Sequence, residues 1–212
     1  MRRIHQMMFS YQSLESIVHK AIDEFICKDR VLLKRELSER ALCGALMKRL
    51  YNVIASKGFE DFKDYFVDVE FNRQSVCKID SYVNEHKKVV YNEKIIDIFT
   101  DIIVHRRGMI GNCLPDNLIS IEMKRKPHDI GSKNSKYNSS KDKDLERLKY
   151  LTLNEKELSN SKDYKAIDGK DSLAAYDYKL GVFIEIDYKN SCVSYSFFRH
   201  GQQDGKVEYK PF

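Results

Sequence analysis

No apolar stretch in this chain approaches the roughly 20 consecutive residues that cross a bilayer. Met1-Arg2-Arg3 is followed by His5, Gln6, Ser10 and Gln12, where a secretory signal would carry an apolar core. The expectation is a soluble, unprocessed cytoplasmic protein with no membrane partner. Cysteine is sparse and scattered. Cys27, Cys43, Cys77, Cys113 and Cys192 are odd in number, form no CxxC pair and have no histidine at zinc-finger spacing, which argues against a disulfide framework and against structural zinc. A Gly-rich phosphate-cradling loop is also missing, because Gly108 and Gly111 do not form one. Its absence weakens a reading as an acid–base enzyme acting on a small acidic substrate. There is no internal repeat.

What is present fits one globular domain over residues 1–212, with 42% hydrophobic and 33% charged residues. Ile17, Val18, Ala21, Ile22, Phe25 and Ile26 recur at helical spacing, as do Leu42, Ala45, Leu46, Leu50, Val53 and Ile54 ahead of Gly58. Two amphipathic helices follow from this, with the break near Asp29 or near Ser38 and residues 1–30 as a helical N-terminal extension. Phe66-Val67-Asp68-Val69-Glu70-Phe71 alternates as a half-buried strand. After a polar stretch come two apolar runs, then a helix from about Asp142 to Leu153 with Leu145, Leu148 and Leu151 on its apolar side. Leu180 to Tyr188 and Ser191 to Arg199 read as strands joined by a tight Lys189-Asn190 turn, and Val207 to Lys210 as a short edge strand. This order predicts an α/β fold with a mixed sheet flanked by helices. Tyr188, Tyr195, Phe197 and Phe198 lie at strand spacing and read as core and sheet surface in preference to base-stacking platforms.

Net charge is +5, but residues 125–143 alone carry +4, from Arg125, Lys126, Lys133, Lys136, Lys141 and Lys143 against Asp129 and Asp142. This Lys/Ser/Asn-rich segment reads as a basic flexible loop. Two roles stand for it: a phosphate-backbone contact, or a merely solvated surface.

Asp101 lies in Ile98-Phe99-Thr100-Asp101-Ile102-Ile103-Val104, and Glu122 and Lys124 lie in Leu118-Ile119-Ser120-Ile121-Glu122-Met123-Lys124, with a turn-like segment between. Paired as a hairpin, the two runs bring two carboxylates and an ammonium to one sheet edge, since Glu122 and Lys124 share a face that Ile119, Ile121 and Met123 do not. Such a carboxylate pair binds a hard divalent cation, and a nearby lysine orients or helps deprotonate a bound water. The competing reading is a set of cross-strand partners on a wet face. The E-x-K triplet itself is uninformative, because Glu85-His86-Lys87 and Glu208-Tyr209-Lys210 repeat it; only Glu122 follows an apolar strand next to an Asp-bearing one.

Ser38-Glu39-Arg40-Ala41, Val69-Glu70-Phe71-Asn72-Arg73, Asp101 to Gly108, Asn117 to Lys124 and Asp144 to Thr152, in this order, together resemble the PD-(D/E)XK phosphodiesterase superfamily, and more narrowly a small bacterial branch of it. Gly181-Val182-Phe183-Ile184 is similar to the strand that comes next. The resemblance implies a restriction-endonuclease-like fold: a mixed central sheet flanked by helices, with N-terminal helices. It implies Asp101 and Glu122 as ligands of Mg²⁺ or Mn²⁺, the Met123 carbonyl as a further ligand, Lys124 positioning the attacking water, and Glu39 approaching the metal directly or through water. Thr100 departs from the pattern, standing where the family usually has proline.

The implied activity is a metal-dependent nuclease cutting the DNA or RNA backbone, with a homodimer where both strands are cut. The alternative is a catalytically silent nucleic-acid- or partner-binding module on the same scaffold. Arg125 and Lys126 are candidate nucleic-acid contacts. Asn72 and Arg73 suit a phosphate contact or a turn. His105 and Arg106 suit steering of nucleic acid or an ordinary solvated turn. Arg147, one helical turn beyond Asp144, suits a phosphate clamp or an intrahelical pair.

Overall fold

Ser10 opens the first helix as its N-cap, its Oγ accepting from the Ser13 amide at 3.1 Å. The computed structural model describes residues 10–71, 73–78, 81–86, 88–91, 94–97, 100–107, 115–128, 133–161 and 175–212, apart from the side chains of 70–97 and of 133 and 134. Helix α1 (Tyr11–Lys28) buries Leu14, Ile17, Val18, Ala21, Ile22 and Phe25 along one stripe. Asp29 separates it from a single turn, α2 (Arg30–Lys34). Ser38 then caps α3 (Glu39–Ile54), its Oγ accepting from the Ala41 amide at 3.3 Å. Both candidate break points are therefore real. Arg49 of α3 grips Asp29 with both arms of its guanidinium, at 2.6 and 2.8 Å, and so fixes α1 against α3.

Strand β1 (Phe66–Phe71) precedes two hairpins, β2 (Arg73–Lys78) with β3 (Ser81–His86) and β4 (Lys88–Tyr91) with β5 (Lys94–Asp97). Next come β6 (Thr100–His105), β7 (Asn117–Lys126), α4 (Lys133–Leu151), α5 (Glu155–Asn160), β8 (Leu180–Asp187), β9 (Cys192–Arg199) and β10 (Gln202–Pro211). The main sheet runs β1-β6-β7-β8-β9-β10. Only β7 and β8 pair in parallel, joined by the crossover through α4; the other neighbours are antiparallel. The mixed α/β sheet flanked by helices is thus as the sequence indicates.

Alternation divides the sheet into two covered faces. Ile119, Ile121 and Met123 of β7 and Leu180, Val182 and Ile184 of β8 join the apolar stripes of α1 and α3. On the opposite face Leu148 of α4 packs on Phe183 and Phe198, while Tyr150 and Leu151 pack on Ile103. The architecture has three layers, and the helix after β7 covers the face on which Glu122 and Lys124 lie.

Three expectations need correction. The described part of residues 125–143 is not one loop: Arg125 and Lys126 finish β7, and α4 starts at Lys133, well ahead of Asp142, while 129–132 lie outside the described residues. The early part of α4 is almost without apolar residues and is held by charge instead, since Glu185 on β8 accepts from the Tyr137 hydroxyl and pairs with Lys141 at 2.5 Å. Nor is the described part of residues 1–30 an appendage, because the α1 stripe lies in the largest apolar cluster, while 1–9 lie outside the described residues. The last strand spans Gln202 to Pro211, with a bulge between Asp204 and Glu208 where Gly205 adopts φ 75°.

Candidate active site

Register brings the two acids together. Ile102 faces Ile121 and Ile103 faces Ser120 across the β6/β7 pair, so one step further sets Asp101 opposite Glu122 on the face beneath α4. Asp101 Oδ2 accepts from the Met123 amide at 2.7 Å, which locks its carboxyl against β7. The two carboxyls are close enough that the charge of Asp101 acts on Glu122. Glu122 is only 2% exposed. Burial pushes its carboxyl well above the usual range; Arg147 pulls it back, and the charges of Asp101 and Asp144 push it further up. Burial likewise raises Asp101, partly offset by the Met123 amide. Glu122 is thus a buried acid that needs a proton or a counter-charge beside it.

Around this pair lie two cations and two more acids. Lys124 Nζ sits 2.6 Å from Asp144 Oδ2 and 3.9 Å from Glu39 Oε1. Burial lowers the lysine's affinity for its proton, but Asp144, Glu39 and Asp101 outweigh it and the net shift is upward. Arg147 Nη1 bridges Glu122 Oε1 at 2.9 Å and Asp144 Oδ1 at 3.3 Å. Glu39, the first residue of α3, accepts from the Arg125 amide at 3.1 Å through Oε2, and burial raises its carboxyl. Glu39, Asp101, Glu122 and Lys124, drawn from three separate parts of the chain, are therefore brought to one locus.

Asp144 opens one of the segments that carry the resemblance but is not among the residues expected at the site. It is 6% exposed and shares its helix stripe with Leu148 and Leu151, so an acid in an apolar row was the available signal.

The outlying candidates divide differently. His105 and Arg106 are 5% and 3% exposed, so neither presents a surface to nucleic acid; the expected steering role is corrected by their burial. His105 Nε2 lies 2.8 Å from Asp68 Oδ2, and the exposed cation of this turn is Arg107, which forks onto Asp68 at 2.8 and 2.5 Å and lies over the Phe66 ring. Arg125 packs over Tyr188, with 5.3 Å to the ring centre. Lys126 pairs with Asp187 at 2.7 Å. Asn72 lies outside the described residues, and of Arg73 only the backbone is described, opposite His86.

Four carboxyls, on Glu39, Asp101, Glu122 and Asp144, share this locus with two cations, Lys124 and Arg147. Fully ionised, the set has surplus negative charge that a proton or a divalent cation must balance, and its oxygen donors suit a hard ion. The Asp101 and Glu122 carboxyls and the Met123 carbonyl would hold it. Among the described residues no three His, Cys, Asp or Glu side chains form a ready-made chelating cage. Among the described residues, too, no helix is long and apolar enough to cross a membrane. No family model, curated protein or solved structure matches the chain.

Proposed function

We propose that this chain is a Mg²⁺- or Mn²⁺-dependent phosphodiesterase that hydrolyses the backbone of DNA or RNA, on a restriction-endonuclease-like scaffold of the PD-(D/E)XK type. The observation that carries the reading is the cross-strand Asp101–Glu122 carboxyl pair, with Glu122 buried and Lys124 two residues along the same strand face. When bound, the ion supplies positive charge to a phosphoryl oxygen and acidity to the attacking water. Asp101, pinned by the Met123 amide, and Glu122, walled in by the sheet, fix where that charge can sit. The Lys124 ammonium, paired with acids in this arrangement, orients the attacking water and steadies developing negative charge. Glu39 and Asp144 hold that ammonium from two sides. Purified protein with Mg²⁺ or Mn²⁺ is expected to cut DNA or RNA, and Asp101→Ala and Lys124→Ala to lose the activity. Cleavage persisting in both variants, with native circular dichroism, rules the site out.

A second reading, a non-catalytic binding module, draws support from the Arg147–Glu122 pair, which already satisfies the buried acid without metal. An ion bound only by the native state raises the melting temperature. An unchanged melting temperature at millimolar Mg²⁺ and Mn²⁺ favours the module.

A further inference from the structure

We infer that Arg147 is a built-in competitor of the divalent ion at Glu122, and that Asp144 is the acceptor to which Arg147 is handed when the ion binds. The inference rests on the metal-site reading above and assigns this site two positioning residues on α4.

Glu122 is buried and cannot be left as a bare carboxylate. Three species can neutralise it: a proton, the Arg147 guanidinium, or a divalent cation. Arg147 Nη1 holds Glu122 Oε1 at 2.9 Å. A divalent ion seated between Asp101 and Glu122 would face this guanidinium at close range in a poorly solvated place, and like charges there repel strongly. One of the two must withdraw. The ion cannot shift without losing its ligands, whereas Arg147 has a flexible side chain and a second carboxylate already in reach.

That second carboxylate is Asp144, whose Oδ1 lies 3.3 Å from the same Nη1. The two residues are three apart on one helix, so their proximity is set by α4 itself and survives the loss of the contact across to the sheet. Asp144 also holds Lys124 through its other oxygen at 2.6 Å. It therefore steadies both cations of the site while Glu122 is given over to the metal. Arg147 is in this view a tethered counterion for Glu122, and Asp144 limits the cost of displacing it.

The test is a cycle of variants read by Mn²⁺ binding, from the free-ion electron paramagnetic resonance signal, with circular dichroism for folding. Arg147→Met keeps the side chain's length and removes its charge; it is expected to tighten Mn²⁺ binding by about tenfold or more, within the usual range of site-to-site coupling. Asp144→Asn leaves Arg147 with Glu122 as its one ionised partner of the two, and is expected to weaken Mn²⁺ binding by about tenfold. In the double variant the Asp144 effect should largely vanish, because nothing remains to be handed over. Should Arg147→Met not fold, Arg147→Gln, which retains a donor for Glu122, carries the same expectation. Wild-type protein that binds Mn²⁺ while the Arg147 variant binds it no more tightly overturns the inference and leaves the proposed function standing. Equal weakening by Asp144→Asn in both backgrounds also overturns it, assigning the effect to Lys124. If neither wild type nor the Arg147 variant binds Mn²⁺, the metal site itself falls.

Discussion

Asp68 illustrates how one acid can be tied to stability instead of to chemistry. Burial works to raise its carboxyl, and the hydrogen bonds from Arg107 and His105 more than reverse this, so that it titrates below its ordinary range. A carboxylate depressed in the folded state adds its full stabilisation above its unfolded value of about 3.9, and loses it as pH falls through the lower folded value. The stability advantage of wild type over Asp68→Asn should therefore be complete near about pH 5 and shrink steadily below about pH 4. Urea midpoints across that range check it, and a pH-independent difference would show that Asp68 holds no net charge interaction here. Glu122 behaves oppositely, raised by burial in spite of its guanidinium partner. That contrast between two acids on the strands either side of β6 comes from surroundings and not from residue type.

At the scale of elements, the candidate site depends on how closely α4 approaches the sheet. Gly181 of β8 permits that approach: a Cβ built there would lie 3.0 Å from Phe198 Cβ and from Thr152 Cγ2. Gly181→Ala is expected to cost about 1–3 kcal/mol, as overpacking of a filled core does, measured by chemical denaturation. No loss at all would mean that α4 yields easily, and that Arg147 and Asp144 are held less firmly than their ion pairs indicate. The periodic elements were legible from residues alone. The α1 and α3 stripes, the inward face of β7 and the apolar positions of α4 all follow from spacing. The N-terminal part of α4 was not, because Lys, Ser and Asn dominate it and its anchor, Glu185, lies over forty residues downstream. Hairpins β2/β3 and β4/β5 escaped for the same reason, lying in a stretch read only as polar.

Across the whole molecule, one sheet is covered on both faces, and α1 supplies a large part of one cover. Removing residues 1–28 strips Leu14, Ile17, Val18, Ala21, Ile22 and Phe25 from the core. At about 1.5–3 kcal/mol for each large buried side chain, the loss rivals the about 5–15 kcal/mol that holds an ordinary domain together. The truncated chain should show no cooperative thermal transition by circular dichroism. A sharp transition would restore the view of this helix as an extension.

The amino-acid order by itself determined the amphipathic helices, the strand faces and the candidacy of Asp101, Glu122 and Lys124, because side-chain direction within an element is fixed by local backbone geometry. Tertiary structure alone decided that Asp144 and Arg147 join them, that Glu39 reaches in from α3, and that His105 and Arg106 turn inward. Those facts rest on which elements pack together and how deeply each group is buried, and both arise from long-range contacts that no local pattern encodes.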